Sequence, residues 1–212
     1  MKCVVLLGPP GAGKGTQGKR LCDKFDWTHF STGDLIRSEI AKATSFGKSV
    51  VSYQAEGKLV PDELLLGEVA SFFSVLDIGG IVSDGFPRTE PQAIALDALL
   101  LKLDASSKVV HLTTPLSVIM DRALSRRICS NCGEIFNLSI NPPKTSGVCD
   151  FCSGSLSLRQ DDTASVIAVR YGVYEQEINR VLSYYGDRVV TLDGTLSPDL
   201  VFSHLEKACG LI

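Results

Sequence analysis

Five short runs rich in apolar and β-branched residues punctuate the chain, at 3–7, 28–31, 80–84, 108–113 and 189–193. Between them lie longer segments whose apolar residues recur every three or four positions, the spacing of a helix with one buried face. The run at 3–7, Cys-Val-Val-Leu-Leu, leads into a helical segment at 14–24 in which Gln17, Leu21 and Cys22 fall in line, with Phe25 beyond. A helix carrying Arg37 follows the second run, with Ser31 or Thr32 placed to cap it. Two short helical stretches are expected within 41–60, then a helix opened by Pro61 that runs to Phe73 with Asp62 and Glu63 in its first turn. The run at 80–84 reads as a buried strand ending in Asp84. Further helices are expected at 91–103, where one face is almost wholly apolar, after Pro115, from 163 to about 185, and from 198 to about 211. Strand and helix in alternation predict an α/β fold: a five-stranded, mostly parallel sheet with helices on both faces.

The rhythm breaks at 128–159, where Asn, Pro, Gly, Ser and Cys replace any helical period. This stretch reads as an insertion outside the core. It holds Cys129-Ser-Asn-Cys132, then sixteen residues, then Cys149-Asp-Phe-Cys152. Two such knuckles can bring four thiolates into a tetrahedron, the arrangement of a structural Zn²⁺ site with no open coordination position. Two disulfides or idle thiols are the competing readings. Metal is favoured over both, because the insertion has few large apolar side chains to stabilise it and the chain lacks secretion signals.

Composition narrows the class. With 212 residues, 44% of them hydrophobic and 21% charged, the chain is an ordinary globular one of a length that suits one domain with insertions. A net charge of -3 argues against a dedicated nucleic-acid binder, which normally carries a basic surplus. No apolar run approaches the roughly 18 residues that span a bilayer. Met1-Lys2 leads straight into a strand without a signal-peptide pattern, so a cytoplasmic location is the expectation and the seven cysteines should be reduced unless they bind metal.

The candidate chemistry begins at Gly8-Pro9-Pro10-Gly11-Ala12-Gly13-Lys14-Gly15-Thr16, set between a strand and a helix. The glycines let successive N–H groups point into one concavity, and Lys14 places a cation beside the β- and γ-phosphates of a nucleotide at a helix N-terminus. Gly15 stands where the general phosphate-loop pattern has Ser or Thr, and the hydroxyl comes one place later on Thr16. Mg²⁺ is therefore expected to be held mainly by nucleotide and water. Arg37, on its capped helix, offers a second anion site. Asp84 falls at the carboxyl end of its strand, near the phosphates, where it can hold Mg²⁺ through water, and Arg88 follows where a transferring phosphoryl group can be clamped. The helix after Pro115 is expected to deliver Arg122, Arg126 and Arg127, with the i, i+4 spacing putting Arg122 and Arg126 on one face. Arg170 lies on the helix starting at 163. His111 reads as a packed or hydrogen-bonded residue rather than a base. Asp161 and Asp162 either tie the insertion down or cap the helix that follows.

Over essentially its whole length the chain resembles an adenylate kinase of the long-lid type. The matching pieces are GPPGAGKGT at 8–16, STGDLIR at 31–37, GKLVPDE at 57–63, DGFPRTEPQ at 84–92, DRALSRR at 121–127, NPPK at 141–144 and RQDD at 159–162. The resemblance implies a P-loop NTPase-type fold divided into a CORE at 1–29, 60–125 and 164–212, an NMP-binding segment at 30–59 and a LID at 126–163. It implies reversible, Mg²⁺-dependent phosphoryl transfer from ATP to AMP, giving two ADP. By motif position, ATP falls to Gly11, Ala12, Gly13, Lys14, Gly15 and Thr16, with Arg126, Ile135, Phe136 and Leu196 toward the donor. AMP falls to Thr32, Arg37, Lys58, Leu59, Val60, Gly85, Phe86, Pro87, Arg88, Gln92, Arg159 and Arg170. Lys14, Arg88, Arg122, Arg126, Arg159 and Arg170 are the catalytic charges.

Lids with four cysteines bear zinc in this family, which assigns a structural Zn²⁺ to Cys129, Cys132, Cys149 and Cys152. The expected partners are ATP, AMP and ADP, with neither nucleic acid nor membrane, and the expected state is a monomer. The chain departs from the family pattern in two places. His111-Leu112-Thr113-Thr114 replaces a more acidic strand end, and Thr195-Leu196-Ser197 leaves only backbone to meet the donor base. A UMP/CMP kinase or a GTP:AMP phosphotransferase would share the cradle and the arginines, but Thr32 and the long lid point to AMP. A nucleic-acid module built on the zinc knuckles is opposed by the acidic balance and by the lack of interleaved aromatic and basic residues.

Overall fold

The first strand, β1 (Lys2–Leu7), feeds both halves of the core. Successive side chains of a strand point to opposite faces, so Cys3, Val5 and Leu7 enter one apolar cluster while Val4 and Leu6 enter another. The computed structural model describes residues 1–75, 79–159 and 161–211; Gln160 of the RQDD motif lies outside them. After β1 come α1 (Lys14–Phe25), β2 (Thr28–Ser31), α2 (Thr32–Ala41), α3 (Ser45–Glu56), α4 (Asp62–Ser74), β3 (Gly80–Asp84), α5 (Glu90–Lys102) and β4 (Ser106–Thr113). They are followed by α6 (Leu116–Leu124), β5 (Arg126–Cys129), β6 (Ile135–Asn137), β7 (Leu156–Ser157), α7 (Ala164–Tyr185), β8 (Val189–Asp193) and α8 (Pro198–Ala208).

The main sheet has five strands in the order β2-β3-β1-β4-β8, and all of its pairings are parallel. This is the expected α/β architecture of a P-loop NTPase. Leu21 and Cys22 of α1 pack with Val201, Phe202 and Leu205 of α8 against Val4 and Leu6. The opposite face is covered by α3, α4, α5 and α7 through Val50, Val69, Phe73, Leu96, Leu100 and Val181. Among the described residues, no helix is long and apolar enough to cross a membrane.

Four boundaries differ from the sequence reading, each for a local reason. The helix after Pro115 stops at Leu124, so Arg122 is helical but Arg126 and Arg127 belong to β5 and share no helix face with it. Antiparallel pairing takes over there, with Arg126 opposite Asn137 and Arg127 opposite Phe136. The 41–60 region holds one helix, α3, rather than two: Thr44 caps it by accepting from Gly47 N at 3.0 Å, and Gly57 stops it in a left-handed conformation. The last helix ends at Ala208, because the chain turns at Gly210 with φ 62°. The insertion, expected only to be irregular, forms a small antiparallel sheet in the order β6-β5-β7. Of the two candidate caps for α2, Ser31 takes the role by accepting from Asp34 N at 3.3 Å, which leaves Thr32 free for another contact.

Phe30 of β2 lies at the crowded edge of the larger core, 2% exposed, with ring centroids at 4.6 Å from Phe72, 5.3 Å from Phe73 and 6.3 Å from Phe86. Truncating it removes a large buried side chain and leaves a void that rigid neighbours fill poorly. Phe30→Ala should cost about 3–5 kcal/mol of stability, read as a lower urea midpoint at unchanged slope.

Candidate active site

Between β1 and α1 the chain wraps a cradle whose form depends on glycine. Gly13, the residue preceding α1, has φ 97°, a left-handed value that side chains resist. The first turn of α1 holds no acid, and no side chain caps it, whereas Ser31, Thr44, Thr89, Thr163 and Ser197 cap α2, α3, α5, α7 and α8. The leading N–H groups of α1 thus remain available to an anion. Lys14 folds back over the loop, donating from Nζ to the carbonyls of Gly8 and Pro9 at 2.9 Å each. Desolvation in this crowded spot pushes its pKa down to about 8, with Arg88 and Arg126 adding to the effect and Asp84 opposing it.

The unusual glycine after the lysine also finds its reason. A Cβ on Gly15 would stand 3.3 Å from Asp84 Oδ2, so a Ser or Thr there would crowd the carboxylate that β3 delivers to the cradle. Asp84 reaches that position because β3 lies beside β1 in register, with Asp84 opposite Leu6.

Arginines converge on the same end of the sheet. Arg88 Nε donates to the Gly85 carbonyl at 2.8 Å, and burial together with the charge of Arg170 pulls its pKa to about 10. Arg170 donates to Asp161 at 2.7 Å and Arg37 stands 3.8 Å from the same carboxylate. Burial opposes ionisation of Asp161, but the charge and hydrogen bond of Arg170 outweigh it and hold the carboxyl below its usual range. Arg126 makes a two-pronged pair with Asp162, at 2.6 and 2.7 Å. These contacts favour the tie over the cap for Asp161 and Asp162, since Thr163 is the residue that caps α7. Arg159 is drawn down to about 10 by burial and by Arg126 and Arg37, and its Nε has no hydrogen-bond partner among the described residues. Arg122 is also lowered, by burial, with Asp193 opposing.

Lys14, Arg88 and Arg170 line one cavity with Gly8, Gly85 and Leu59. A larger concavity at the other end of the sheet, between Trp27, Asp104 and Leu211, has Lys2 in its wall but no arginine. Two residues with contacts in the neighbourhood of the cavity escaped the sequence reading. Tyr174 also lines the cavity and is bound to His111 Nε2 at 2.7 Å; its place four residues after Arg170, on the same helix face, was a usable signal. Asp62 is the other, and its contact lies across two helices: Oδ1 accepts from Gln92 Nε2 at 2.6 Å. His111 itself is buried and held below its ordinary pKa by that burial and by Lys14, as a packed residue should be.

Around the cavity, Thr32 Oγ1 donates to the Gly85 carbonyl at 2.8 Å, and Phe86 is fully buried ahead of a cis bond to Pro87. Val60 is buried, while the exposed Lys58 side chain pairs with Glu56 at 2.6 Å. In the insertion, Ile135 is half-buried and Phe136 packs with Cys129 and Cys149, so Phe136 offers only backbone outward. Leu196 rests against the α1–α8 core.

A family model described as adenylate kinase matches residues 6–190. The chain is 40% identical over 207 residues to the adenylate kinase of Methanosarcina acetivorans, covering 96% of each chain. It is 39% identical to that of Clostridium tetani over 213 residues, 99% of each, and 39% identical to that of Archaeoglobus fulgidus over 207 residues, 96% of this chain and 95% of the other. The chain belongs to the adenylate kinase family.

As expected for an adenylate kinase with a cysteine-bearing lid, the four cysteines meet. Their Sγ atoms all lie within 4.8 Å of one another, with Cys129 and Cys152 at 3.4 Å and Cys132 and Cys149 at 3.6 Å. A disulfide needs about 2.05 Å, whereas sulfurs about 2.3 Å from one central ion stand about 3.8 Å apart. The set fits a structural metal ion. Main-chain N–H groups of Asn131 and Cys132 point at Cys129 Sγ; the Gly154 N–H and the neighbouring thiols draw Cys152 down to about 6, and the same thiol cluster pushes Cys132 up to about 12.

The depressed pKa of Lys14 gives this site a proton linkage. Its ordinary value is 10.5 and its value in the free protein about 8; an anion in the cradle favours the charged form and raises it again. ATP binding at pH 9 should therefore take up a proton, approaching one per site, and little at about pH 6.5. Calorimetry in buffers of different ionisation enthalpy reads this directly, and equal heats across buffers at pH 9 would contradict the assignment.

Proposed function

We propose that this adenylate kinase family member is an ATP:AMP phosphotransferase that works by positioning and charge, without a covalent nucleophile. The observation that carries the reading is the meeting of Lys14, Arg88 and Arg170 in one cavity at the carboxyl ends of the strands, beside an uncapped helix N-terminus. Ligands of parallel α/β sheets bind at that end. In-line phosphoryl transfer needs neutralised oxygens more than proton-moving groups.

In this reading Gly11 to Thr16 hold the donor phosphates, and Arg126 with Arg122 serves the donor side. Arg37, Arg88, Arg159 and Arg170 serve the acceptor phosphate and the group in flight. Thr32, the 58–60 backbone and Gln92 surround the acceptor base, and Leu196 with Ile135 meets the donor base. Asp84 is the residue that would hold Mg²⁺ through water, which its place over Gly15 supports. When bound with ATP, that ion neutralises charge on the β- and γ-phosphates.

Residues 1–29, 60–125 and 164–212 form the CORE, 30–59 the acceptor segment and 126–163 the lid. Contacts that already join these parts support their closing over the cleft: Arg37 to Asp161, Arg170 to the Gln54 carbonyl at 3.4 Å, and Lys19 of α1 to Glu134 at 3.3 Å. Closure excludes the water that would otherwise consume ATP.

A coupled assay with ATP and each of AMP, CMP, UMP and GMP tests the reading. AMP should be preferred over the pyrimidine nucleotides by orders of magnitude in kcat/KM, because a pyrimidine leaves buried polar groups unpaired at about 1–3 kcal/mol each. Equal use of CMP or UMP would replace this reading with a pyrimidine nucleotide kinase. Lys14→Met should lower kcat by about two orders of magnitude or more while the protein stays folded; near-normal turnover would remove the cradle from the mechanism.

For the lid, the reading assigns zinc. Metal analysis of reduced protein should find one zinc per chain, and chelation should lower the melting temperature, since metal binding to the cysteines is linked to folding of the lid. A chain free of zinc with an unchanged melting curve in chelator would refute it.

A further inference from the structure

Gln92 is buried in the first turn of α5, and its side-chain amide is gripped at both ends. Oε1 accepts from the Arg88 main-chain N–H at 2.8 Å, and Nε2 donates to Asp62 Oδ1 at 2.6 Å. A main-chain N–H can only donate and a carboxylate oxygen only accept. The two neighbours therefore dictate which end of the amide is nitrogen, removing the twofold ambiguity that normally attends a glutamine. Asp62 is itself fixed. Its Oδ2 accepts from Thr89 Oγ1 at 3.0 Å, and Thr89 in turn caps α5 by accepting from Gln92 N at 3.3 Å. Asp62 stands in the first turn of α4, where the helix dipole favours negative charge.

An amide has four hydrogen-bonding positions, two donor and two acceptor, and these contacts occupy one of each. One N–H and one lone pair remain, and the two grips fix which end of the amide carries each. Such an edge complements a purine that offers an acceptor beside a donor, as ring N1 and the 6-amino group of adenine do. A 6-oxo purine carries a donor at N1 and an acceptor at O6. Against the same amide edge it sets donor against donor and acceptor against acceptor, and only a flip of Gln92 would relieve this.

We infer that Asp62 is a positioning residue for acceptor choice: by denying Gln92 that flip, it makes the site accept a 6-amino purine nucleotide and reject a 6-oxo one. The inference rests on the reading of Gln92 as a wall of the acceptor-base pocket. Support for that location comes from the shared contacts of the neighbourhood, where the Gly85 carbonyl takes both Thr32 Oγ1 and Arg88 Nε.

The test compares AMP with IMP, which differ only in this edge, at saturating ATP. In Asp62→Ala the ratio of kcat/KM for AMP over IMP should fall at least about tenfold, through the acceptor KM, while the KM for ATP stays within about twofold. Asp62→Asn should keep most of the ratio, because its Oδ1 can replace the carboxylate oxygen toward Gln92 while its Nδ2 turns to the Thr89 hydroxyl. If Asp62→Ala slows AMP and IMP by the same factor, Asp62 is merely structural and the inference fails alone. If the wild-type protein uses AMP and IMP equally, the acceptor reading fails and takes the inference with it. Should Asp62→Ala not fold, side-chain NMR of the wild type decides. AMP should shift one Gln92 Nε2 proton and leave its Asp62-bound partner in place; movement of both or of neither overturns the lock.

Discussion

Lys14, Arg37, Arg88, Arg126, Arg159 and Arg170 bring like charges into one cleft, and two unit charges 4 Å apart near a protein surface repel by about 4 kcal/mol. The fold has to hold this arrangement together before any anion arrives. It does so with four carboxylates: Asp34 on α2, Asp84 at the end of β3, and Asp161 and Asp162 side by side ahead of α7. Asp161 is shared between Arg37 and Arg170, Asp162 engages Arg126 with both oxygens, and Asp34 takes Arg37. The two-pronged carboxylate geometry is also the one arginine uses for phosphate. Asp162 thus meets Arg126 in the geometry a phosphate would take. The cations outnumber the carboxylates, and the lowered values of Lys14, Arg88 and Arg159, set first by burial, carry a further contribution from neighbouring arginines.

That concentration of charge is possible because the sheet supplies a rigid floor. Val4 and Leu6 face one core, Cys3, Val5 and Leu7 the other, so β1 is clamped from both sides and the loop leaving it starts from a fixed point. β3 lies against β1 and brings Asp84 and the Gly85–Arg88 turn to the same level. Residues separated by some seventy positions in the chain become neighbours through a register that side-chain burial alone enforces.

Those parts of the site whose geometry is set within a few residues were legible from the sequence. The cradle at 8–16 and the paired CxxC knuckles belong to this class, since their backbone turns and ligand spacing are local. The alternation of strands and helices was legible for the same reason. What escaped depends on partners distant in the chain. Helical spacing continues through Arg126 on paper, but pairing with 135–137 takes that arginine into a strand. Phe136 is taken by the alternation of β6 into the insertion's own core, a placement that rests on cysteines distant in the chain. The grip of Asp62 on Gln92 spans two helices with β3 between them, and no periodicity within either helix announces it.

The pair formed by Arg126 and Asp162 has another consequence. Arg126 opens β5 where the chain enters the insertion, and Asp162 stands where it leaves, just ahead of α7. A buried, two-pronged contact between them pins the entry and exit together. Whatever lies between is then closed as a loop of fixed span, and the entropic cost of lengthening such a loop grows only slowly with its length. The contents of the stretch, sulfur cluster included, are thereby decoupled from the spacing of the elements that flank it. Nature or an engineer can exchange one filling for another, so long as the clasp at the neck is kept.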